Sequence, residues 1–187
     1  MKESSDNNWI SFSDIMTVLM IIFLFISISY MMQEKKKQAT RDEIFKEFKA
    51  TKEELYNELN TVFKNDFQKW EVQLDKDLSI KFTNPDVLFL SGRTNIRPYF
   101  LGILDEFLPK YFDVILQEKY KDKISEIRIE GHTDMTPVSN SEIPYIGNLI
   151  LSQQRSTAVM EHFIRSKYYK SLQEHKRWWL LFNFTAN

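Results

Sequence analysis

The chain has 187 residues, a formal net charge of −1 and no cysteine. The near-neutral charge gives no basis for nucleic-acid binding, which depends on clustered Lys and Arg, and the absence of cysteine excludes disulfides, thiol catalysis and cysteine metal ligands. Glycine occurs only four times while aromatic residues make up 14%, so the composition disfavours a glycine-rich phosphate loop and a disordered chain.

Residues 9–32 are predicted to form a helix that crosses a membrane. Within residues 15–32 the only side chains with polar groups are Thr17, Ser27, Ser29 and Tyr30. A bilayer core of about 30 Å needs roughly 20 apolar residues in a helix, and lipid offers no water to satisfy an exposed backbone. One lysine and two acids precede Trp9 and no small-residue cleavage site follows, which favours a retained anchor over a cleaved signal peptide.

Asp14 is a carboxylate placed just inside the start of this segment. Burying such a group in lipid costs about 3 kcal/mol on insertion scales, so an intramembrane acid is by default a functional candidate, usually an ion relay that faces other helices. Alternatively, residues 11–14 cap the helix and Asp14 lies at the headgroup level, because acids favour helix N-termini. Position alone leaves both interpretations open.

The residues around Asp14 resemble a known membrane helix. They read Trp9-x-x-Phe12-Ser13-Asp14-x-Met16-Thr17-x-x-Met20-x-x-Phe23-Leu24. This pattern is similar to that of the B subunits of ion-driven stator motors, a family that includes flagellar MotB and PomB and the ZorB subunit of Zorya anti-phage systems. The resemblance implies that Asp14 binds the translocated ion, H⁺ or Na⁺, with no other cofactor. It also implies a homodimer of this chain inside a ring, expected to be a pentamer, of A-type (ZorA- or MotA-like) subunits.

The flanks of the membrane segment give conflicting evidence on orientation. Lys2 precedes it, whereas Lys35, Lys36, Lys37 and Arg41 follow it, so the positive-inside rule places the C-terminal part in the cytoplasm. The family resemblance implies the opposite: a single pass through the bacterial inner membrane, with residues 1–8 cytoplasmic and the C-terminal domain periplasmic. We adopt the second orientation, because the ligand expected for that domain lies outside the inner membrane.

Residues 33–75 are predicted to form a helical linker. The segment is charged and free of Pro and Gly, and it carries an apolar stripe at helical spacing. The stripe consists of Ile44, Phe48, Leu55, Leu59, Val62, Phe67, Trp70 and Leu74. It packs either on the chain's own domain or along a second copy, as a parallel dimer stalk that is too aromatic for a regular zipper.

Residues 76–187 are predicted to form a small α/β sandwich of the order βαβαβ, with helices against one sheet. The strands are expected at residues 78–82, 124–130 and 178–184. One helix is expected from Pro98, which suits a first helical turn, and is kinked or divided at Pro109. A second helix is expected over residues 149–169.

A candidate binding site lies where the middle strand ends and the second helix begins. Gly131-His132-Thr133-Asp134 ends the strand, and Asn148, Ser152 and Arg155 share one helical face. A guanidinium takes a carboxylate bidentately and an aspartate takes an ammonium, so Arg155 and Asp134 can hold a zwitterion. The alternative is an Asp134–Arg155 salt bridge that ties the loop to the helix.

Three motifs together resemble an OmpA-like peptidoglycan-binding domain. They are Val87-x-Phe89-x-Ser91-Gly92, Gly131-His132-Thr133-Asp134 and Asn148-x-x-Leu151-Ser152-x-x-Arg155. The resemblance implies that Asp134 and Arg155 hold the diaminopimelate of the stem peptide, with Asn148, Thr133 and Ser152 assisting. Pro137 and the long loop after Asp134 are typical of the motor branch. Ser156 departs from the usual alanine, and the family typically continues beyond Asn187.

These features predict a non-enzyme, since the sequence shows no nucleophile elbow, phosphate loop or histidine pair at metal-ligand spacing. Two functions remain open: the B subunit of an ion-driven motor anchored to peptidoglycan, and a passive peptidoglycan tether in which Asp14 only caps. Within the motor class, the few residues before Trp9 and the run Ser-Asp-Ile-Met-Thr-Val-Leu-Met favour the ZorB branch, hence Zorya defence, over a flagellar stator.

Overall fold

A computed structural model describes residues 4–84, 88–132 and 143–187. Its contacts divide the chain into two compact units, one ending at Ala50 and the other beginning at Thr51. The two units differ in structure: the first is a single helical segment, and the second contains the described strands and the buried core.

The first unit consists of most of one long helix, α1, which runs Ser4–Val62. An 18-residue window within it has a mean hydropathy of 2.4. Among the described residues this is the one helix that is long and apolar enough to cross a membrane. The predicted architecture of one apolar N-terminal helix, a helical stalk and a C-terminal region with short strands is confirmed.

The end of α1 differs from the prediction. The helix stops at Val62, and a short helix α2 (Asp66–Trp70) and a strand β1 (Val72–Leu74) follow. A helix that continues to residue 74 is therefore wrong. The apolar periodicity did not reveal the end of α1, because α2 is also helical and the apolar residues keep their spacing across the break. Phe63, between the two helices, is fully buried and stacks on Phe67 of α2 with ring centroids 5.3 Å apart.

The apolar stripe has two different environments. Leu55 and Leu59 are only 4% and 1% exposed, and they belong to the core of the second unit. Ile44 and Phe48, in the first unit, are 62% and 61% exposed. Packing on the chain's own domain is therefore the correct interpretation for the part of the stripe that begins at Leu55, with the exception of the exposed Val62.

Among the described residues, the second unit continues from β1 with elements that include both predicted helices, three helices that were not predicted and a short final strand. They are β2 (Ile80–Phe82), α3 (Pro98–Ile115), α4 (Glu118–Lys121), β3 (Ile127–Ile129), α5 (Pro144–Arg165), α6 (Lys167–Ser171), α7 (Glu174–Asn183) and β4 (Phe184–Ala186). Pro98 lies in the first turn of α3 as predicted, and α3 continues through Pro109 undivided.

The described strands form two small sheets where a single sheet was predicted. β1 and β2 are antiparallel, with Val72 opposite Phe82, and β3 and β4 are parallel, with Ile127 opposite Phe184. Each strand is three residues long, so each pair buries little surface of its own. The strands are held mainly by the helices packed against them.

The predicted final strand over residues 178–184 is wrong, because this stretch is mostly α7. The run Trp-Trp-Leu-Leu-Phe is rich in residues that favour strands, but its burial follows helical spacing. Leu180 is 2% exposed, whereas Leu181 and Phe182 are 56% and 76% exposed. Only from Phe184, which is buried, does the chain enter β4.

The core of the second unit is built from aromatic rings. Phe112 of α3 stacks on Phe163 of α5 with centroids 4.4 Å apart, and it contacts Phe184 of β4 edge-on at 5.1 Å. One to two turns earlier in α3, Phe107 lies 5.1 Å from Phe63. Each fully buried side chain of this size contributes about 1.5–3 kcal/mol, so these rings fix α5 against α3 and thereby position the candidate site.

Candidate functional site

Asp14 lies inside α1, which begins at Ser4. Because the residue is within the helix, the interpretation of Asp14 as an N-cap is wrong. Its side chain is exposed on the helix surface, as are the neighbouring Phe12 and Ile15. A carboxylate surrounded by large exposed apolar side chains is the pattern of a surface that other helices or lipid must cover.

The C-terminal candidate site begins where β3 meets α5. The Ser152 hydroxyl of α5 donates to the carbonyl of Gly131, which follows β3. A Cβ atom at position 131 would overlap the backbone carbonyl of Ser152. Gly131 is therefore required for the close approach of helix and strand end. The same residue extends the sheet, since its N–H donates to the Asn187 carbonyl at 3.3 Å.

Arg155 projects from α5 onto backbone carbonyls of two loops. Its Nε donates to Arg93 O at 3.1 Å, and its two terminal nitrogens donate to His132 O at 3.3 Å and Leu90 O at 3.5 Å. These carbonyls orient the guanidinium, whose charge is permanent at any physiological pH. The site therefore contains a guanidinium that the surrounding backbone holds in a defined orientation.

Phe89 and the turn that follows it both contact the Arg155 side chain. The guanidinium carbon lies 5.0 Å from the centroid of the Phe89 ring, a cation–π distance. The Arg93 N–H donates to Leu90 O at 3.0 Å, and Gly92 within this turn has φ +63°, a backbone conformation that favours glycine. The Phe89 ring and the carbonyls of the turn that contains Gly92 thus contact Arg155 and orient its guanidinium.

The structure brings together three of the predicted site residues. Asn148, Ser152 and Arg155 are all half-buried on α5, with Ser152 and Arg155 bonded to the residues that end the middle strand. Thr133 and Asp134 lie outside the described residues. The choice between an Asp134–Arg155 salt bridge and a ligand site therefore remains a prediction.

Ser156, the departure from the usual alanine, is accommodated inside the fold. Its side chain is 1% exposed, and its hydroxyl donates to Gln153 O within α5 at 2.9 Å. A buried hydroxyl with a partner carries little penalty, so α5 accommodates serine at this position.

The sequence did not reveal the three carbonyls around Arg155, because every residue has a backbone carbonyl and the residue type does not show which ones will accept. Gly92 was the available signal: a glycine beside the motif phenylalanine indicated a turn that could expose carbonyls. Among the described residues no group of acidic, histidine or cysteine side chains could hold a metal ion. His162 is instead bonded to Asp105 at 2.8 Å.

Comparison with known proteins places this arrangement in a family. No protein-family model matches the chain. The Zorya protein ZorB of Escherichia coli (Crooks strain) is 37% identical over 180 residues, which are 95% of this chain and 74% of that protein. The chain belongs to the ZorB family.

Membership of the ZorB family confirms the branch that the membrane segment favoured over the flagellar MotB and PomB proteins. Because the similarity extends over 95% of the chain, it includes both the apolar part of α1 and the second unit. The similarity to ZorB therefore covers both units of this chain and is not limited to the apolar helix.

Proposed function

We propose that this ZorB-family chain is the B-type subunit of an ion-driven rotary motor in the bacterial inner membrane that serves Zorya antiviral defence. The observation that carries the proposal is the identity with ZorB across both units. A carboxylate inside an apolar helix and a positioned arginine in a separate compact unit give the two chemical functions such a subunit needs.

Asp14 is the proposed ion-binding residue, for H⁺ or Na⁺. A carboxylate in lipid is costly unless it is neutralised by an ion or partner, so binding and release of the ion change how α1 fits its neighbours. The membrane potential supplies about 2.3 kcal/mol per charge for each 100 mV. Cyclic neutralisation of Asp14 would thus convert that energy into movement of the surrounding subunits.

The proposed neighbours are a second copy of this chain and a ring of A-type, ZorA-like subunits. The exposed apolar residues of α1 in the membrane segment support contacts with other helices or lipid. Ile44 and Phe48, also exposed and beyond that segment, support a dimer stalk, since large apolar side chains at helical spacing favour pairing with a second helix.

The second unit is proposed to bind peptidoglycan in the periplasm and so hold the motor still. Arg155 would bind the carboxylate of the diaminopimelate residue, and Asp134 its ammonium, with Asn148, Thr133 and Ser152 shaping the pocket. The support is the geometry of Arg155: three backbone carbonyls and the Phe89 ring hold the cation in one orientation before any ligand arrives.

The test is Asp14→Asn in the full chain, expressed with its A-type partner in cells challenged by phage. The amide has nearly the same shape as the carboxylate, but it has no negative charge for a cation to neutralise and no proton to exchange at physiological pH. We expect protection to fall to the level of cells lacking the system while the amount of membrane complex is unchanged. Phage plating efficiency measures protection, and co-purification of the partner measures assembly.

Asp42→Asn is the matched control, since it makes the same chemical change on an exposed part of α1 after the apolar segment. That variant should protect like the parent chain. Full protection by Asp14→Asn would instead support a passive tether and remove the motor from the proposal.

A further inference from the structure

The apolar segment of α1 contains a side-chain hydrogen bond within one turn of Asp14. The Thr17 hydroxyl donates to the carbonyl oxygen of Ser13 at 2.9 Å. A threonine hydroxyl has one proton to donate and two lone pairs that can accept. Because the proton is directed to Ser13 O, the hydroxyl can offer other groups only its oxygen, as an acceptor or a cation ligand.

Thr17 and Asp14 are neighbours on the surface of α1, since residues three apart in a helix lie side by side. Both side chains are exposed, and the apolar residues between and beside them, Ile15, Met16 and Val18, are exposed as well. Helical side chains lean toward the N-terminus, so the Thr17 side chain leans over the turn that contains Asp14. Its oxygen is therefore a polar atom available to whatever occupies the Asp14 carboxylate.

The empty and loaded states of Asp14 differ in what they can take from this oxygen. An ionised carboxylate only accepts hydrogen bonds, so a hydroxyl whose proton is engaged elsewhere cannot stabilise it. A carboxyl that carries a proton becomes a donor, and the hydroxyl oxygen can accept from it. Na⁺ held by the carboxylate takes additional oxygen ligands, as it does at other sites within membranes. The Thr17 oxygen thus stabilises the loaded state alone.

We propose that Thr17 supplies the second oxygen of the ion site, which either accepts a hydrogen bond from the protonated Asp14 carboxyl or coordinates Na⁺ bound to the carboxylate. The inference rests on the proposed function, since it adds a ligand to the ion site assigned there to Asp14. Its consequence is that Thr17 raises the affinity of Asp14 for the ion.

The experiment measures how fast dicyclohexylcarbodiimide, which reacts with protonated carboxyl groups in apolar surroundings, modifies Asp14. The full chain is used in membranes with its A-type partner, and mass spectrometry of the Asp14 peptide gives the rate. Where the rate still rises with added acid, it is proportional to the protonated fraction. We expect Thr17→Val to react roughly three- to tenfold more slowly than the parent chain, the loss of one hydrogen bond. Thr17→Ser, which keeps the hydroxyl, should react at the parental rate.

Added NaCl, compared with KCl, distinguishes the two ions. If Na⁺ is the ion, NaCl slows modification of the parent chain by occupying the site, and Thr17→Val needs roughly three- to tenfold more NaCl for the same protection. If H⁺ is the ion, NaCl and KCl have the same effect on both chains, and the difference in rate carries the result.

Thr40→Val is the matched control, because the Thr40 hydroxyl makes the same kind of bond, to Lys36 O at 3.1 Å, beyond the apolar segment of α1. This variant should react like the parent chain. Slowing by Thr40→Val as large as that by Thr17→Val would overturn the proposal, since any such bond along α1 would then suffice. Equal slowing by Thr17→Val and Thr17→Ser would overturn it as well, because the hydroxyl would not be the cause.

Phage plating gives a second readout, with co-purification of the A-type partner as the measure of assembly. Thr17→Val should lower protection and Thr17→Ser should keep it. Equal modification rates, equal NaCl protection and equal phage protection in Thr17→Val and the parent chain would overturn the role of Thr17 and leave Asp14 standing. If the parent chain resists modification, equal phage protection by the two Thr17 variants has the same meaning. Full protection by Asp14→Asn would overturn the ion site itself.

Discussion

At the scale of single residues, the candidate site depends on backbone as much as on side chains. Arg155 is oriented by carbonyls from the turn at Leu90 and from His132, while the His132 side chain itself is exposed. Binding sites made this way tolerate variation in the loop side chains, because the acceptors belong to the main chain. They tolerate much less variation at the glycines that allow the chains to approach.

Gly131→Ala is therefore expected to destabilise the second unit by about 1–3 kcal/mol, the cost of overpacking a close contact. The new methyl group would overlap the Ser152 carbonyl and push α5 from the strand end. Denaturant unfolding of the full chain, followed by tryptophan fluorescence, measures the change, since Trp70 lies in the core of the second unit.

Gly102→Ala is the control for this experiment. Gly102 lies within α3, where an added Cβ would meet no atom within 4 Å. Alanine should stabilise the helix interior there by about 0.5–1 kcal/mol. If the two variants shifted the unfolding midpoint in the same direction, steric contact at Gly131 would not be the cause.

At the scale of elements, the last turns of α1 are fastened to the segment around α4. Lys119 Nζ lies 2.6 Å from Glu58 and 3.0 Å from Glu54, and the Tyr120 hydroxyl donates to Glu58 at 2.7 Å. Gln117 donates to Glu58 at 2.6 Å. The Glu58 carboxylate thus accepts hydrogen bonds from Gln117, Lys119 and Tyr120. Three such bonds orient this end of α1 more firmly than a single surface ion pair could.

This network predicts acid sensitivity. The hydrogen bond from Lys119, followed by those from Tyr120 and Gln117, holds the pKa of Glu58 below its ordinary 4.5. A lowered carboxyl pKa stabilises the native state above 4.5, and that contribution is lost as the pH falls through the native pKa. The unfolding free energy of the parent chain should therefore decrease as the pH falls below 4.5.

Glu58→Gln should reduce this pH dependence, because the variant has no proton to gain at the position, and it should be less stable than the parent chain at neutral pH. Glu53→Gln, at an exposed site on the same helix, should keep the parental slope. Chemical unfolding at a series of pH values measures both. Identical slopes in the parent chain and the Glu58 variant would contradict a role for this network.

At the scale of the whole molecule, the chain combines an apolar helical unit with a separate aromatic-cored unit. The proposed function requires these two units to lie in different compartments. Lys35, Lys36, Lys37 and Arg41 follow the apolar segment and oppose translocation of the second unit by the charge rule. The orientation of the chain is therefore the property on which the peptidoglycan proposal depends most directly.

We expect alkaline phosphatase fused after Asn187 to be active in cells, because that enzyme forms its disulfides only outside the cytoplasm. The same reporter fused before residue 1 should be inactive, which controls for release of the fusion by proteolysis or lysis. An inactive C-terminal fusion with an active N-terminal one would place the second unit in the cytoplasm, where it could not reach peptidoglycan.

The sequence by itself determined the long apolar helix, the beginning of α3 at Pro98, the strands near residues 80 and 127, and the face of α5 that Asn148, Ser152 and Arg155 share. These features follow from local periodicity and backbone chemistry, which a single segment carries within itself. The motifs also placed Gly131 at the end of the middle strand and Arg155 on the following helix, where the structure has them, and the binding role of Arg155 stays a prediction.

Only the tertiary structure decided where α1 ends, that residues 178–183 are helical, and that the described strands pair as two sheets. Each depends on partners distant in sequence: Phe63 terminates the long helix by entering the aromatic core, and Leu180 of α7 is buried in the same core. The carbonyls around Arg155 come together in the same way. Their chemistry exists only once α5 is packed against loops far away in the chain.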